Sequence, residues 1–113
     1  LEEGNMLTVK EIFNGMAGNF QASMGKDLDT VIQYEITGEG GGNWYAAIKD
    51  AACTVTEGKA ASPALTLTMS ASDWVDMSHG KLNGQMAFMS GKLKLKGDMG
   101  LAMRLATLFK TVA

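Results

Sequence analysis

The sequence predicts an α+β domain: a five-stranded mixed sheet, built from an antiparallel meander and a helical crossover, covered on one face by helices. Three observations predict it. Between residues 30 and 69, four short runs alternate apolar and polar side chains, the period of a half-buried strand. Near Ser70 the period lengthens to that of a helix, and alternation returns only at Lys92 to Lys96. The chain of 113 residues is also long enough for one core and too short for two, so residues 1–113 read as a single domain.

Taken in order, Leu1 to Met6 carry no periodic pattern and read as a flexible lead-in, with Met6 a candidate natural start and residues 1–5 added or left by processing. Thr8 opens a helix and Glu11, three residues on, completes a capping box. Val9, Ile12, Phe13, Met16 and Phe20 share one face of it. Gly15 and Gly18 each weaken the helix by about 1 kcal/mol relative to alanine, so it should end near Gly18 to Phe20, before a loop over Gln21 to Asp29. Thr30 to Thr37 is the first strand, with Ile32, Tyr34 and Ile36 facing in and Gln33, Glu35 and Thr37 facing out.

Gly38 to Asn43 forms a hairpin loop and Trp44 to Lys49 the returning strand, with Trp44, Ala46 and Ile48 inward. Asp50 and Ala51 make a tight turn into a third strand, Ala52 to Thr56, and a link containing the only proline, Pro63, leads to the fourth, Ala64 to Met69. Ser70 and Asp73 then start a helix that Gly80 stops, and Asn83 to Ser90 makes a short second one. The fifth strand, Lys92 to Lys96, alternates lysine with Leu93 and Leu95. The roughly twenty residues before it suit a helical crossover, which predicts that strands four and five are parallel. Asp98 caps the closing helix.

Composition removes several classes of function. A net charge of −2 argues against nucleic acid as a partner. No apolar run reaches the roughly 18 to 20 residues of a membrane span. No charged-then-apolar leader opens the chain, and one cysteine, Cys53, cannot close an internal disulfide, so a reducing, cytoplasmic setting is expected. Cys53 alternates inward and reads as inert. His79, the only histidine, lies after Asp73 and Asp76 at helical spacing, but three such groups with no further support make no metal site. The glycines at 38 and 40 to 42 precede a strand, not the helix a phosphate loop requires. No acid, base and nucleophile set is visible, so the expectation is no catalytic residue, no cofactor and no enzyme activity.

What remains unexplained is apolar surplus. On the closing helix, Leu101, Leu105, Leu108 and Val112 fall on one side, and Ala102, Phe109, Ala106, Met99 and Met103 continue round from them. Only Gly100, Arg104, Thr107 and Thr111, with Lys110 at one border, form a polar stripe. That apolar arc is about twice the roughly 100° a surface helix needs, so something apolar must lie against the rest. Nearby lie six of the nine methionines, side chains that adapt to variable apolar partners. Lys92, Lys94 and Lys96 project from one side of the fifth strand. They either guard a sheet edge or draw it weakly to anionic headgroups.

Ser90 to Leu105, SGKLKLKGDMGLAMRL, is similar to the sterol carrier protein 2 (SCP2) family, in which a Gly-Lys-Leu-Lys strand, a Gly-Asp or Gly-Asn turn and a Leu-Ala-bearing helix occur in this order. The resemblance extends upstream over Thr66 to Gly84, TLTMSASDWVDMSHGKLNG, and more loosely to Val9 to Phe13 and Tyr34 to Lys49. It implies an apolar tunnel between sheet and helices that binds and transfers fatty acids, acyl-CoAs, sterols or phospholipids without chemistry of its own. Animal members often end in a peroxisomal address, whereas this chain ends Thr111, Val112, Ala113, so that location is not carried over.

On these grounds the expected pocket lining is Phe13, Met16, Phe20, Met77, Met86, Phe88, Met89, Leu101, Leu105, Leu108 and Phe109. The expected partners are a lipid ligand and, transiently, an anionic membrane surface, for a monomer or weak dimer. Two rival readings use the same apolar surplus: a module that docks on a protein or dimerises through its closing helix, and an accessory unit that presents a lipid to an enzyme.

Overall fold

The computed structural model describes residues 7–109, and the sheet forms where the alternation places it. Strands β1 (Thr30–Thr37), β2 (Gly42–Lys49), β3 (Ala52–Glu57), β4 (Leu65–Ser70) and β5 (Leu93–Gly97) lie in the order β3-β2-β1-β4-β5. Helices α1 (Val9–Met16), α2 (Ala71–Ser78), α3 (Gly84–Met89) and α4 (Met99–Leu108) complete the α+β architecture. The expectations for residues 1–6, and for Lys110, Thr111 and Val112 on the closing helix, lie outside the described residues.

Strands β1 to β3 form the antiparallel meander, with Tyr34 opposite Trp44 and Ile48 opposite Cys53. The β2–β3 turn places Asp50 at φ 53° and Ala51 at φ 60°. Both are left-handed, as the twist of a two-residue hairpin requires, and alanine gains nothing there that glycine would not give more cheaply.

The pairing of β4 corrects the sequence reading. It runs parallel to β1, with Leu67 beside Tyr34, and antiparallel to β5, with Leu67 beside Leu95. The segment between β4 and β5 is the pair of short helices that the sequence marks, of 8 and 6 residues and parted at Gly80 (φ 77°); what differs is the end of the sheet to which the pair delivers the chain. A single helix would carry the chain across the sheet; two broken ones go out and return it to the end where β4 finished. The connection that sets the parallel pair is instead the link from Gly58 to Ala64, with Gly58 N donating to Asn43 O at 2.8 Å and Ala64 N to Val31 O at 2.9 Å.

That link also explains Gln33. Alternation sends it to the outer face, yet it is only 2% exposed. Its Oε1 accepts from Ala60 N at 2.8 Å, and its Nε2 donates to Gly58 O at 3.1 Å and Trp44 O at 3.0 Å. A buried amide is stable only when its hydrogen bonds are met, and here backbone groups of the link and of β2 meet them.

The helices on the other face start where their caps dictate. Thr8 Oγ1 accepts from Glu11 N at 3.2 Å and Glu11 Oε1 accepts from Thr8 N at 2.9 Å, a complete capping box. Ser70 Oγ accepts from Asp73 N, and Asp98 Oδ1 from Leu101 N. Under α1 sits an aromatic stack: the Phe13 ring lies 4.4 Å from Trp44 and 4.8 Å from Trp74, nearly parallel to both, with Tyr34 edge-on at 5.3 Å. It fixes α1 and α2 to the middle of the sheet and leaves the β4–β5 side of the helical layer to the remaining helices.

Candidate functional site

Between the β4–β5 side of the sheet and the helices lies a cavity of about 810 Å³. The sheet supplies its floor with Tyr34, Leu67, Leu93 and Leu95, the side chains that alternation turns toward the helices. Ile12 and Met16 of α1 and Trp74 and Met77 of α2 form one wall. Leu82 and Phe88 form a second, and Met99, Ala102, Met103, Leu105, Ala106 and Phe109 the third. The polar groups on the wall are few, chiefly Asn19, Ser78, Asn83 and Gln85. A mostly apolar concavity with a few polar side chains, within the range of about 300–1,000 Å³ common for ligand sites, can take the hydrocarbon part of an amphiphile.

The third wall is α4, which packs on β4 and β5 and is tied by polar contacts to the segment before β1. Arg104 forms a two-pronged ion pair with Asp27, Nη1 to Oδ2 at 3.0 Å and Nη2 to Oδ1 at 2.9 Å, and Nη2 also donates to Met24 O at 2.8 Å. The same guanidinium holds the Asp27 carboxyl below its ordinary range. At the far end of α4, Gln21 N donates to Leu108 O and Gln21 Nε2 to Thr107 O, both at 2.7 Å. The rings of Phe20 and Phe109 meet at 5.6 Å. Gly25 permits this closure: a Cβ there would fall 2.7 Å from the Phe20 ring and 3.3 Å from Leu108.

The surplus on the closing helix is divided between two environments. Leu101 and Leu108 are packed in the core, at 4% and 0% exposure, while Leu105 and Phe109 border the cavity. Of the other side chains expected to line a pocket, Met16, Met77 and Phe88 stand on its wall. Phe13 does not; it is enclosed by its aromatic neighbours. Phe20 packs behind Phe109, and Met86 and Met89 point out of α3, 64% and 74% exposed. Ile12, Trp74 and the floor residues Leu67, Leu93 and Leu95 were not anticipated as lining. The inward alternation of Leu93 and Leu95 was a usable signal for the floor. Spacing on α1 could not separate Ile12 and Met16 from Phe13, because all three share one apolar face and only the tilt on the sheet divides them.

Two titratable groups of the sheet, Tyr34 and Cys53, are shifted by burial. Burial pushes the Tyr34 phenol far above its usual range, with Cys53 adding to the effect, so Tyr34 is a neutral wall. Burial also pushes the Cys53 thiol up to about 11, which leaves little nucleophilic thiolate at neutral pH. His79 Nε2 accepts from Leu7 N at 3.2 Å, and no group of three or more His, Cys, Asp or Glu is gathered among the described residues. No helix among them is long and apolar enough to cross a membrane.

A model of the SCP-2 sterol transfer family matches residues 9–110. Hydroxysteroid dehydrogenase-like protein 2 of Danio rerio is 41% identical over 98 residues, a match that takes in 86% of this chain and 24% of that protein. The chain thus spans about a quarter of the length of the curated relatives it matches. Among solved structures, palmitated SCP2L2 from Aedes aegypti superposes with a TM-score of 0.75 at 28% identity, covering 89% of this chain and 93% of that one. The inverting sec-alkylsulfatase Pisa1 from Pseudomonas sp. superposes with a TM-score of 0.80 over 99% of this chain and 18% of its own. Its 17% identity makes that a likeness of fold alone.

Proposed function

We propose, on the premise that this chain belongs to the SCP-2 sterol transfer family, that its cavity takes up the hydrocarbon part of a single lipid and releases it to an acceptor without chemical change. The observation that carries the reading is the 810 Å³ apolar space between the sheet and α4, which absorbs the part of the closing helix that the core does not. Each methylene moved from water to that wall contributes about 0.8 kcal/mol. Ten of them contribute about 8 kcal/mol, against association costs of about 4–15 kcal/mol, so only a long chain or a fused ring system binds usefully.

A fatty acid, acyl-CoA, sterol or phospholipid would each satisfy this, with Asn19, Ser78 or Gln85 near a polar head. The palmitated Aedes aegypti relative makes an acyl chain the first ligand to try. The single cysteine suits a reducing compartment, and we take the protein as a cytoplasmic carrier, monomeric or weakly dimeric. The test is native mass spectrometry of the purified chain followed by lipid extraction and displacement of a fluorescent fatty acid. Co-purified lipid and saturable displacement are expected; an empty protein that displaces nothing refutes the reading.

A second reading draws on a separate observation. The chain corresponds to 24% of a hydroxysteroid dehydrogenase-like protein and is similar in fold to 18% of an alkylsulfatase chain. In it, the same cavity serves as an accessory unit that presents an apolar substrate to an enzyme. Weak transfer between vesicles, together with stimulation of an attached or associated enzyme, would favour it over free carriage.

A further inference from the structure

The geometry points to a docking face: we infer that the rim of the cavity, formed by α3 and α4, settles on an anionic bilayer, with the lysines of the β5 edge engaging its headgroups. The inference rests on the lipid reading for its purpose, but its observations are separate. Among the described residues, five of the six large apolar side chains that stay exposed lie on α3 and α4; the sixth, Met24 (46%), lies before β1. Met86 (64%), Phe88 (46%) and Met89 (74%) lie on α3, and Met99 (46%) and Met103 (84%) on α4. Of these, Phe88, Met99 and Met103 also line the cavity, so the exposed patch is its rim. Unbranched methionine suits a disordered acyl phase that has no fixed shape to match.

Charge says what covers this patch. Residues 77–109 carry five basic side chains, Lys81, Lys92, Lys94, Lys96 and Arg104, against one acidic, Asp98. Residues 7–76 carry four basic against nine acidic. With Arg104 answered by Asp27, the positive excess of the second segment rests chiefly on Lys92, Lys94 and Lys96, at the β5 end of the sheet next to the rim. β5 is the edge strand between α3 and α4 in the chain, and both helices pack on it. Lys94 and Lys96, opposite Thr68 and Thr66, leave the sheet on the side away from Leu93 and Leu95, at an edge from which flexible stems reach round to a headgroup plane. An anionic surface attracts this end and repels the other, which orients the cavity toward the membrane. A second copy on the same patch would set like charges together.

The test uses the full chain and flotation with vesicles of phosphatidylcholine mixed with phosphatidylserine, against phosphatidylcholine alone. The expected result is partitioning onto the anionic vesicles that falls as salt is added. Replacing Lys92, Lys94 and Lys96 by glutamine lowers that partitioning about 100-fold, from about fivefold per lysine. Met86→Ser with Met89→Ser lowers it about tenfold through lost apolar insertion. Lys49→Gln with Lys59→Gln, near the opposite edge, leaves it unchanged. The triple lysine variant keeps its uptake of a fluorescent fatty acid from vesicle-free solution, so loss of docking and loss of the cavity are read apart. Docking on this face is overturned if the wild type ignores anionic vesicles while still taking up fatty acid, or if the lysine and methionine variants float like the wild type. A concentration-dependent dimer abolished by the methionine changes would overturn it as well, by assigning the patch to a second copy.

Discussion

Replacing Leu105 by tryptophan probes the cavity from the wall that the sequence already marked. Leu105 is half-buried on α4 and borders the cavity, while its neighbours Leu101 and Leu108 are the ones locked in the core. Tryptophan adds about six non-hydrogen atoms, and the half-buried position gives them two ways to go, outward to solvent or inward to the empty space. If about half project inward, they displace about three methylenes of bound chain, about 2.4 kcal/mol or roughly 50-fold in Kd. The assay is displacement of a fluorescent fatty acid by unlabelled acids of increasing length, with circular dichroism and urea unfolding to establish that the variant is folded. The loss should be largest for the longest chains and vanish for chains too short to reach α4. A folded Leu105→Trp protein that binds every length as the wild type does would refute the assignment of this wall.

Other perturbations separate fold from site. Phe13→Ala opens a void between two stacked indoles and should cost about 3–5 kcal/mol in urea unfolding, the penalty of a core aromatic and not of a ligand contact. Ala51→Gly relieves a left-handed alanine at φ 60° and should raise stability by up to about 1 kcal/mol; a decrease would mean that the turn does not hold that geometry. Asp27→Asn removes the latch to Arg104. Because the folded-state pKa of Asp27 is lowered, its contribution is present above the unfolded value of about 3.9 and is lost as pH falls through the folded value below that. Wild type and Asp27→Asn should therefore differ at neutral pH, in amide exchange of α4, and converge in acid; a difference that grew in acid would contradict the assignment.

Much of this architecture is legible in local pattern. Strand β1 carries its alternation from Thr30 to Thr37 without a break, and Thr8, Ser70, Asn83 and Asp98 mark the four helix starts because a cap is a short-range hydrogen bond. What pattern could not supply was the pairing of distant segments. The parallel register of β1 with β4 and the burial of Gln33 both depend on where the link from Gly58 to Ala64 crosses the sheet, and nothing in either strand encodes that path. The site divides the same way. Apolar excess on α4 was visible, but its division between Leu108 in the core and Leu105 at the cavity follows from the anchoring of α4 by Gln21 and Arg104, contacts made across more than seventy residues.

The measurement that bears most directly on the cavity as a lipid site is the affinity of the purified chain for a homologous series of fatty acids. Transfer of hydrocarbon into the cavity predicts that each added pair of methylenes tightens Kd by roughly 15-fold, until the space is filled and the gain stops. Affinity that is absent, or that does not change with chain length, would contradict it.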